Sequence, residues 1–400
     1  MRSETLMRSG GGQSRLTYLN HPHHQQQQQQ QQHEYFHHHS QSVLPRLPML
    51  ISHKPLAGHQ TSPQIAMTAP REGSGDMGQS TAQRQPTGST IPDALSIQEH
   101  GRMFNAYRQG KYLMPNDGEE QNRLDLQHYV WQTMVHNRLN FAPIRDDSRV
   151  LDIGTGTGIW AIEFAKRYPK STVVGTDISL IQPTYSLPMN CSFEREDAED
   201  EWMFDAPFDY IRWRLMASCF RSYKDMIYKV YAHLAPGGWA EFHEWAYEAC
   251  ADNAETEEYY NGSALRKWLE YVVGGGASLG RDLRSPLHYR QWMIEAGFTE
   301  VTVRHFSVPL NGWPQEPAAS TLGNMACVNC LQFVNSVTKF LLAGGLSRDA
   351  LPAFVDEVRA NVRDRRMRIS FPSYVIYGRK PDAPATHHGE SMRVDNILNM

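Results

Sequence analysis

The 400-residue chain carries a formal charge of −4, yet its composition is too uneven to be split into two equal domains on length alone. All nine Trp lie beyond residue 92, and the first 92 residues hold only Tyr18, Tyr35 and Phe36 among the aromatics, so that stretch cannot build a core. It is also the basic part, with seven Lys or Arg against four Asp or Glu, which leaves a net of −7 on the remainder and excludes the electrostatic footprint of a direct DNA binder.

Residues 1–92 read as a disordered low-complexity arm. A Gln and His tract runs from His21 to His39, a Pro-punctuated stretch from Pro45 to Pro70, and a Gly, Ser, Thr and Gln-rich linker from Gly73 to Pro92. No amino-terminal signal pattern is present, and no apolar run reaches the roughly 18 residues of a transmembrane span, so membrane contact is expected only through a partner. Five Cys fit a reducing compartment.

Residues 93–140 read as an N-terminal helical lid. Within it, Glu119 to Leu139 places Leu124, His128, Trp131, Val135 and Leu139 at steps of three and four, the period of an amphipathic helix. His128 on that stripe reads as a hydrogen-bonded core histidine in preference to a catalytic one.

From Arg149 the chain alternates short β-branched runs with helical patterns, the mark of βαβ units and a mostly parallel sheet. Strands are expected at Val150–Ile153, Thr172–Thr176, Cys191–Glu194, Phe208–Trp213, Trp239–Glu244, Thr299–Val308 and Arg368–Tyr377. Helices are expected at Ile159–Tyr168 and at Tyr223–Leu234, the latter stopped by Pro236-Gly237-Gly238. Residues 141–381 form one α/β domain on this reading, with a late helical insertion at about 314–366 and a flexible tail over 382–400. Gly274 to Gly280 reads as flexible on composition. Cys327 and Cys330 form a C-x-x-C without a second half, so two ordinary thiols and no metal are expected.

The strongest local signal is Val150 to Ile159 (VLDIGTGTGI), a buried strand running into a glycine turn that opens a helix. Glycines let the backbone turn tightly and approach a ligand, and the helix start offers unpaired N–H donors. A dinucleotide fingerprint would need Gly or Ala where Ile159 stands. The acidic Asp152 just before the loop would repel a pyrophosphate and attract an ammonium, which favours S-adenosyl-L-methionine over NAD. Asp177 ends the next strand, at the position where a carboxylate meets ribose hydroxyls. Asp197, in Glu196-Asp197-Ala198 after the third strand, is placed to hold the adenine edge with its adjoining backbone. Three acids at the ends of three successive strands, beside one glycine loop, make a coherent site.

These motifs resemble class I S-adenosylmethionine-dependent methyltransferases, and within them the fungal LaeA-like group. The resemblance spans about residues 97–381 and rests on Tyr112–Asp117 (YLMPND), Asn122–His128 (NRLDLQH), Val150–Ile162 (VLDIGTGTGIWAI), Asp177–Pro183 (DISLIQP), Phe208–Ile211 (FDYI) and Leu234–Gly238 (LAPGG). It implies a Rossmann-like fold with a seven-stranded sheet ordered 3-2-1-4-5-7-6, the seventh strand antiparallel. It implies further that Asp152, Gly154, Gly156 and Gly158 surround the methionine part of the cofactor, Asp177 the ribose, and Asp197 with Ala198 the adenine. Thr155 and Ile178 join the cofactor-binding set, and the helix around Arg123 to His128 covers the site. The run Glu241 to Trp245 departs from the founding regulator of the group, which marks this chain as its relative rather than its counterpart.

For catalysis, Glu241, His243 and Trp245 alternate onto one face of the fifth strand and Phe242 and Glu244 onto the other. A structural role for His243 is preferred and no catalytic residue is assigned. Arg212 and Arg214 flank Trp213 and read as surface arginines packed on an indole. The resemblance implies a regulator of fungal secondary metabolism and development in the nucleus, partnered by velvet-family proteins or another LaeA-like methyltransferase, with the cytoplasm also open. The alternative is a biosynthetic O- or N-methyltransferase acting on a small molecule of a natural-product pathway.

Overall fold

The computed structural model describes residues 96–383. The arm expected over 1–92 and the tail beyond 383 lie outside the described residues. The first element is a hairpin, β1 (Ser96–Glu99) and β2 (Arg102–Asn105), turned by His100 and Gly101 at φ 52° and 75°. The segment expected to be a helical lid therefore starts as β-structure, in strands too short to show a two-residue period. Helix α1 (Gly118–Met134) follows, capped by Asp117, whose carboxylate accepts from Glu120 N at 3.0 Å. Arg102 grips the same carboxylate through two bonds of 2.7 Å and so ties the hairpin to the helix start.

The central sheet begins with β3 (Arg149–Ile153), α2 (Ile159–Arg167), β4 (Thr172–Asp177) and β5 (Cys191–Arg195). It continues with β6 (Phe208–Arg214), α3 (Tyr223–His233) and β7 (Leu234–Trp245). After β8 (Cys250–Ala251) come β9 (Thr299–Pro309) and β10 (Ile369–Arg379). The order is β5-β4-β3-β6-β7-β10, with β9 on the far side of β10, and β10 runs antiparallel to both neighbours. This is the seven-strand arrangement the resemblance implies, with the two-residue β8 added beside the start of β10. Pro236-Gly237-Gly238 does not merely stop α3: β7 already begins at Leu234 and pairs with β6 across a register shift.

Alternation divides the sheet into two packed faces. Leu151, Ile153, Ile211, Trp213, Ala240 and Phe242 pack one core under α3, with the Trp213 and Phe242 rings stacked at 3.7 Å between centroids. Val150, Tyr210 and Trp239 point to the other face and join α1 and α2 in a second core.

Between β8 and β9 lie α4 (Ala254–Asn261), α5 (Ala264–Ser278), a 3-10 turn (Ser285–His288) and α6 (Tyr289–Ala296). Of the stretch Gly274 to Gly280, expected to be flexible, residues 274–278 are the last turn of α5. Its glycines serve close packing: a Cβ on Gly275 would collide with the Phe340 carbonyl and one on Gly276 with Leu283. Helices α7 (Pro317–Ser336), α8 (Thr338–Ala343) and α9 (Leu351–Arg363) then fill the interval between β9 and β10 and, with α5, enclose a third core around Trp268, Phe333, Phe340 and Val358. Cys327 and Cys330 lie on α7, and the Cys327 thiol donates to the Val362 carbonyl at 3.8 Å.

Candidate active site

The chain leaves β3 toward β4 on one side and reaches β6 on the other, which opens a crevice at the carboxyl ends of these strands. The glycine loop lines it. Gly154, Gly156 and Gly158 stand at φ 64°, 59° and 79°, conformations that L side chains avoid. Thr155 N donates to the Thr176 carbonyl and Gly156 N to Asp177 Oδ2, each at 2.9 Å, so the loop is stitched to the end of β4. A Cβ on Gly158 would strike the Phe193 ring, which makes this glycine a packing requirement for seating α2.

Six of the nine residues expected to bind cofactor border one cleft: Gly154, Gly156, Asp177, Ile178, Asp197 and Ala198. Asp152 and Thr155 border a smaller adjoining cavity shared with Gly154 and Gly156, and Gly158 borders neither. Asp177 accepts from Ser179 N at 2.8 Å as well as from Gly156 N, and burial pushes its carboxyl up to about 6. Asp197 is not free: Lys111 Nζ and Arg108 Nη1 both sit 2.9 Å from its Oδ2. Burial alone would raise its carboxyl, but Lys111, Glu199 N and Arg108 together hold it below the usual range. The other wall comes from Tyr112, from Arg123, Leu124 and Gln127 of α1, and from Phe333 of α7.

A buried polar row crosses the sheet floor. Asp152, Arg212 and Glu241 are lateral neighbours on β3, β6 and β7. The Asp152 carboxylate accepts from Arg212 Nη1 at 2.6 Å and from Thr155 Oγ1 at 2.7 Å, so its charge is already matched inside the protein. The expectation that it stands open to an ammonium is corrected in that respect. Arg212 is 1% exposed and lies 3.9 Å above the Trp160 ring, so it is a core residue, and the indole it covers is not the neighbouring Trp213. Its Nε and Nη2 are buried with no hydrogen-bond partner among the described residues. Arg214 lines the cleft, where burial and the charge of Arg212 pull its guanidinium down to about 9. Its Nη2 donates to His128 Nδ1 at 2.9 Å, and His128 Nε2 meets Glu163 at 3.0 Å. That pair of contacts makes His128 a neutral, structural imidazole.

His243 is equally structural. Its Nε2 lies 2.5 Å from Glu241 Oε1, and Glu241 Oε2 accepts from Phe141 N and Ala142 N at 2.8 and 2.7 Å. Burial lowers the imidazole to about 4, and the ring stacks on Trp131. The dyad anchors the chain between α1 and β3 to the sheet. The group that reaches the cleft is Glu244 on the opposite face, accepting from Met216 N at 3.0 Å, with burial pushing its carboxyl up to about 8. Sequence reading missed Glu244, Met216 and Phe333 as site residues. For Glu244 the signal was available, since alternation places it opposite His243; for Phe333, 89 residues downstream, there was none.

A family pattern described as "Methyltransferase domain" matches residues 126–303. The chain is 32% identical over 289 residues to "Methyltransferase pytC" of Aspergillus terreus, covering 71% of this chain and 87% of the relative. It is 32% identical over 291 residues to "Secondary metabolism regulator laeA" of Monascus pilosus, covering 71% and 78%. To "Protein-methionine methyltransferase laeA" of Emericella nidulans it is 34% identical over 223 residues, covering 55% and 58%. With the strand order, the glycine loop and the cleft described above, these likenesses place the chain in the LaeA-like group of class I S-adenosylmethionine-dependent methyltransferases.

Proposed function

We propose that this methyltransferase regulates fungal secondary metabolism and development, in the nucleus and through velvet-family proteins or a second LaeA-like methyltransferase. The likeness to the regulator of Monascus pilosus over 71% of the chain carries the reading. The net negative charge of the part beyond the arm agrees with it, since contact with chromatin would run through partners rather than DNA.

The cleft suits S-adenosylmethionine. Asp177, with two backbone donors already placed, keeps lone pairs for ribose hydroxyls, and Ile178, Asp197 and Ala198 border the space next to it. Asp152, Thr155, Gly154 and Gly156 border the space for the methionine end, where the unpaired Arg212 nitrogens and Arg214 offer donors to a carboxylate. When bound, the cofactor would supply an activated methyl group, whose carbon an acceptor lone pair would take while the C–S bond breaks and its electron pair leaves with the sulfur. Orientation by these residues supplies most of the rate, on the order of 7–11 kcal/mol in well-aligned systems.

The likeness to pytC favours a second reading, a biosynthetic O- or N-methyltransferase for a small molecule. Gene deletion combined with affinity purification of the tagged full chain separates the two. The regulatory role predicts recovery of a velvet-family protein, a nuclear signal and broad changes in metabolites and spores. A single metabolite shifted by one methyl group, with no such partner recovered, would contradict it.

A further inference from the structure

A second cavity adjoins the cleft behind Trp245, Tyr247 and Phe333, which border both spaces. Its remaining walls come from α5 through Trp268 and Leu269, from α7 through Ala326, Asn329 and Cys330, and from the adjoining ends of β9 and β10. No charged side chain borders it among the described residues. Asn329 is its one amide, and the Oδ1 of that side chain is already taken by Arg123 Nη1 at 3.2 Å. Burial drives the Cys330 thiol up to about 12, so that group is neutral as well.

Two of the residues that border it carry unsatisfied donors. Trp245 and Trp268 each carry a buried indole N–H with no hydrogen-bond partner among the described residues, and Trp268 is 2% exposed. Buried donors are ordinarily satisfied, so each such N–H asks what accepts from it. An ammonium or guanidinium brought into this space would lose its hydration with no counter-charge to replace it, a cost of several kcal/mol.

We infer that this cavity, together with the part of the cleft it adjoins at Trp245, Tyr247 and Phe333, is the acceptor subsite, seating an uncharged alkyl or aromatic group of a small molecule that also presents an oxygen or nitrogen acceptor to an indole N–H. The inference rests on the transferase reading of the adjoining cleft alone and holds under either biological role. A cationic lysine or arginine side chain is excluded by the same lining.

Para-cresol and benzylammonium are size-matched probes, one neutral and one cationic. Each is titrated by calorimetry into the purified full chain saturated with S-adenosylhomocysteine. Cresol is expected to bind at least tenfold more tightly than benzylammonium. Ala326→Phe, which fills the cavity from α7, should weaken cresol at least tenfold while S-adenosylhomocysteine affinity stays within twofold, a readout that also shows the variant is folded. Trp268→Phe should weaken cresol severalfold and leave toluene, which has no acceptor atom, unchanged. Equal binding of the two probes, or cresol binding indifferent to Ala326→Phe, would overturn the subsite. A preference for N-acetylmethionine methylamide over cresol, lost in Ala326→Phe, would overturn the small-molecule assignment in favour of a protein side chain. Failure of the wild-type chain to bind S-adenosylhomocysteine would instead sink the transferase reading.

Discussion

Asp152 and Arg212 show why a single strand cannot disclose a site's electrostatics. From sequence, Asp152 is a carboxylate before a glycine loop and Arg212 one of two cations beside an indole; their pairing exists only in the lateral register of β3 and β6. Asp177 ends β4 and Asp197 lies two residues past β5, positions that need only the local pattern, whereas the cations that hold Asp197 come from the segment between β2 and α1. The buried pair makes a direct prediction. Asp152→Ala leaves Arg212 uncompensated in the core and should cost about 3–5 kcal/mol in urea unfolding. The double variant with Arg212→Met should recover most of that loss. A double variant no more stable than Asp152→Ala would contradict the penalty assigned to an uncompensated Arg212. Loss of ligand binding in Asp152→Ala alone is for this reason a poor measure of cofactor contact.

Among the elements, those built on a clear period were readable and those built on close approach were not. Strands β3 to β7 and helices α2 and α3 lie within a few residues of their expected places because apolar runs and turn residues mark them. The hairpin β1–β2 shows no alternation, and the glycines of α5 counterfeit a flexible segment because the use of Gly275 depends on α8, more than 60 residues away. Two substitutions separate glycine as packing from glycine as slack. Gly275→Ala drives a methyl into the Phe340 carbonyl and should destabilise by about 1–3 kcal/mol. Gly274→Ala, one residue earlier, meets nothing within 4 Å and should stabilise by about 0.5–1 kcal/mol. Thermal unfolding of the two variants decides it; stabilisation by both would contradict the packing of α5 on α8.

At the scale of the molecule, the sheet order brings the ends of β3, β4 and β6 to one crevice, while α1 and the late helices wall it from the other side. That gathering was legible in outline through the strand sequence and the glycine motif. The acceptor side was not, because its walls are drawn from segments between residues 244 and 371 that carry no common motif. The proposed hold of Asp177 on S-adenosylmethionine in this crevice is tested most directly by titration of S-adenosylhomocysteine into the full chain. One site per chain is expected, with an affinity that falls as pH drops below about 6, where protonation of Asp177 replaces a charged acceptor for ribose hydroxyls by a weaker neutral one. In Asp177→Ala the affinity should fall by about tenfold or more, the worth of a charge-assisted hydrogen bond. Absence of binding to the wild-type chain, or an Asp177→Ala affinity equal to wild type at pH 7.5, would contradict it.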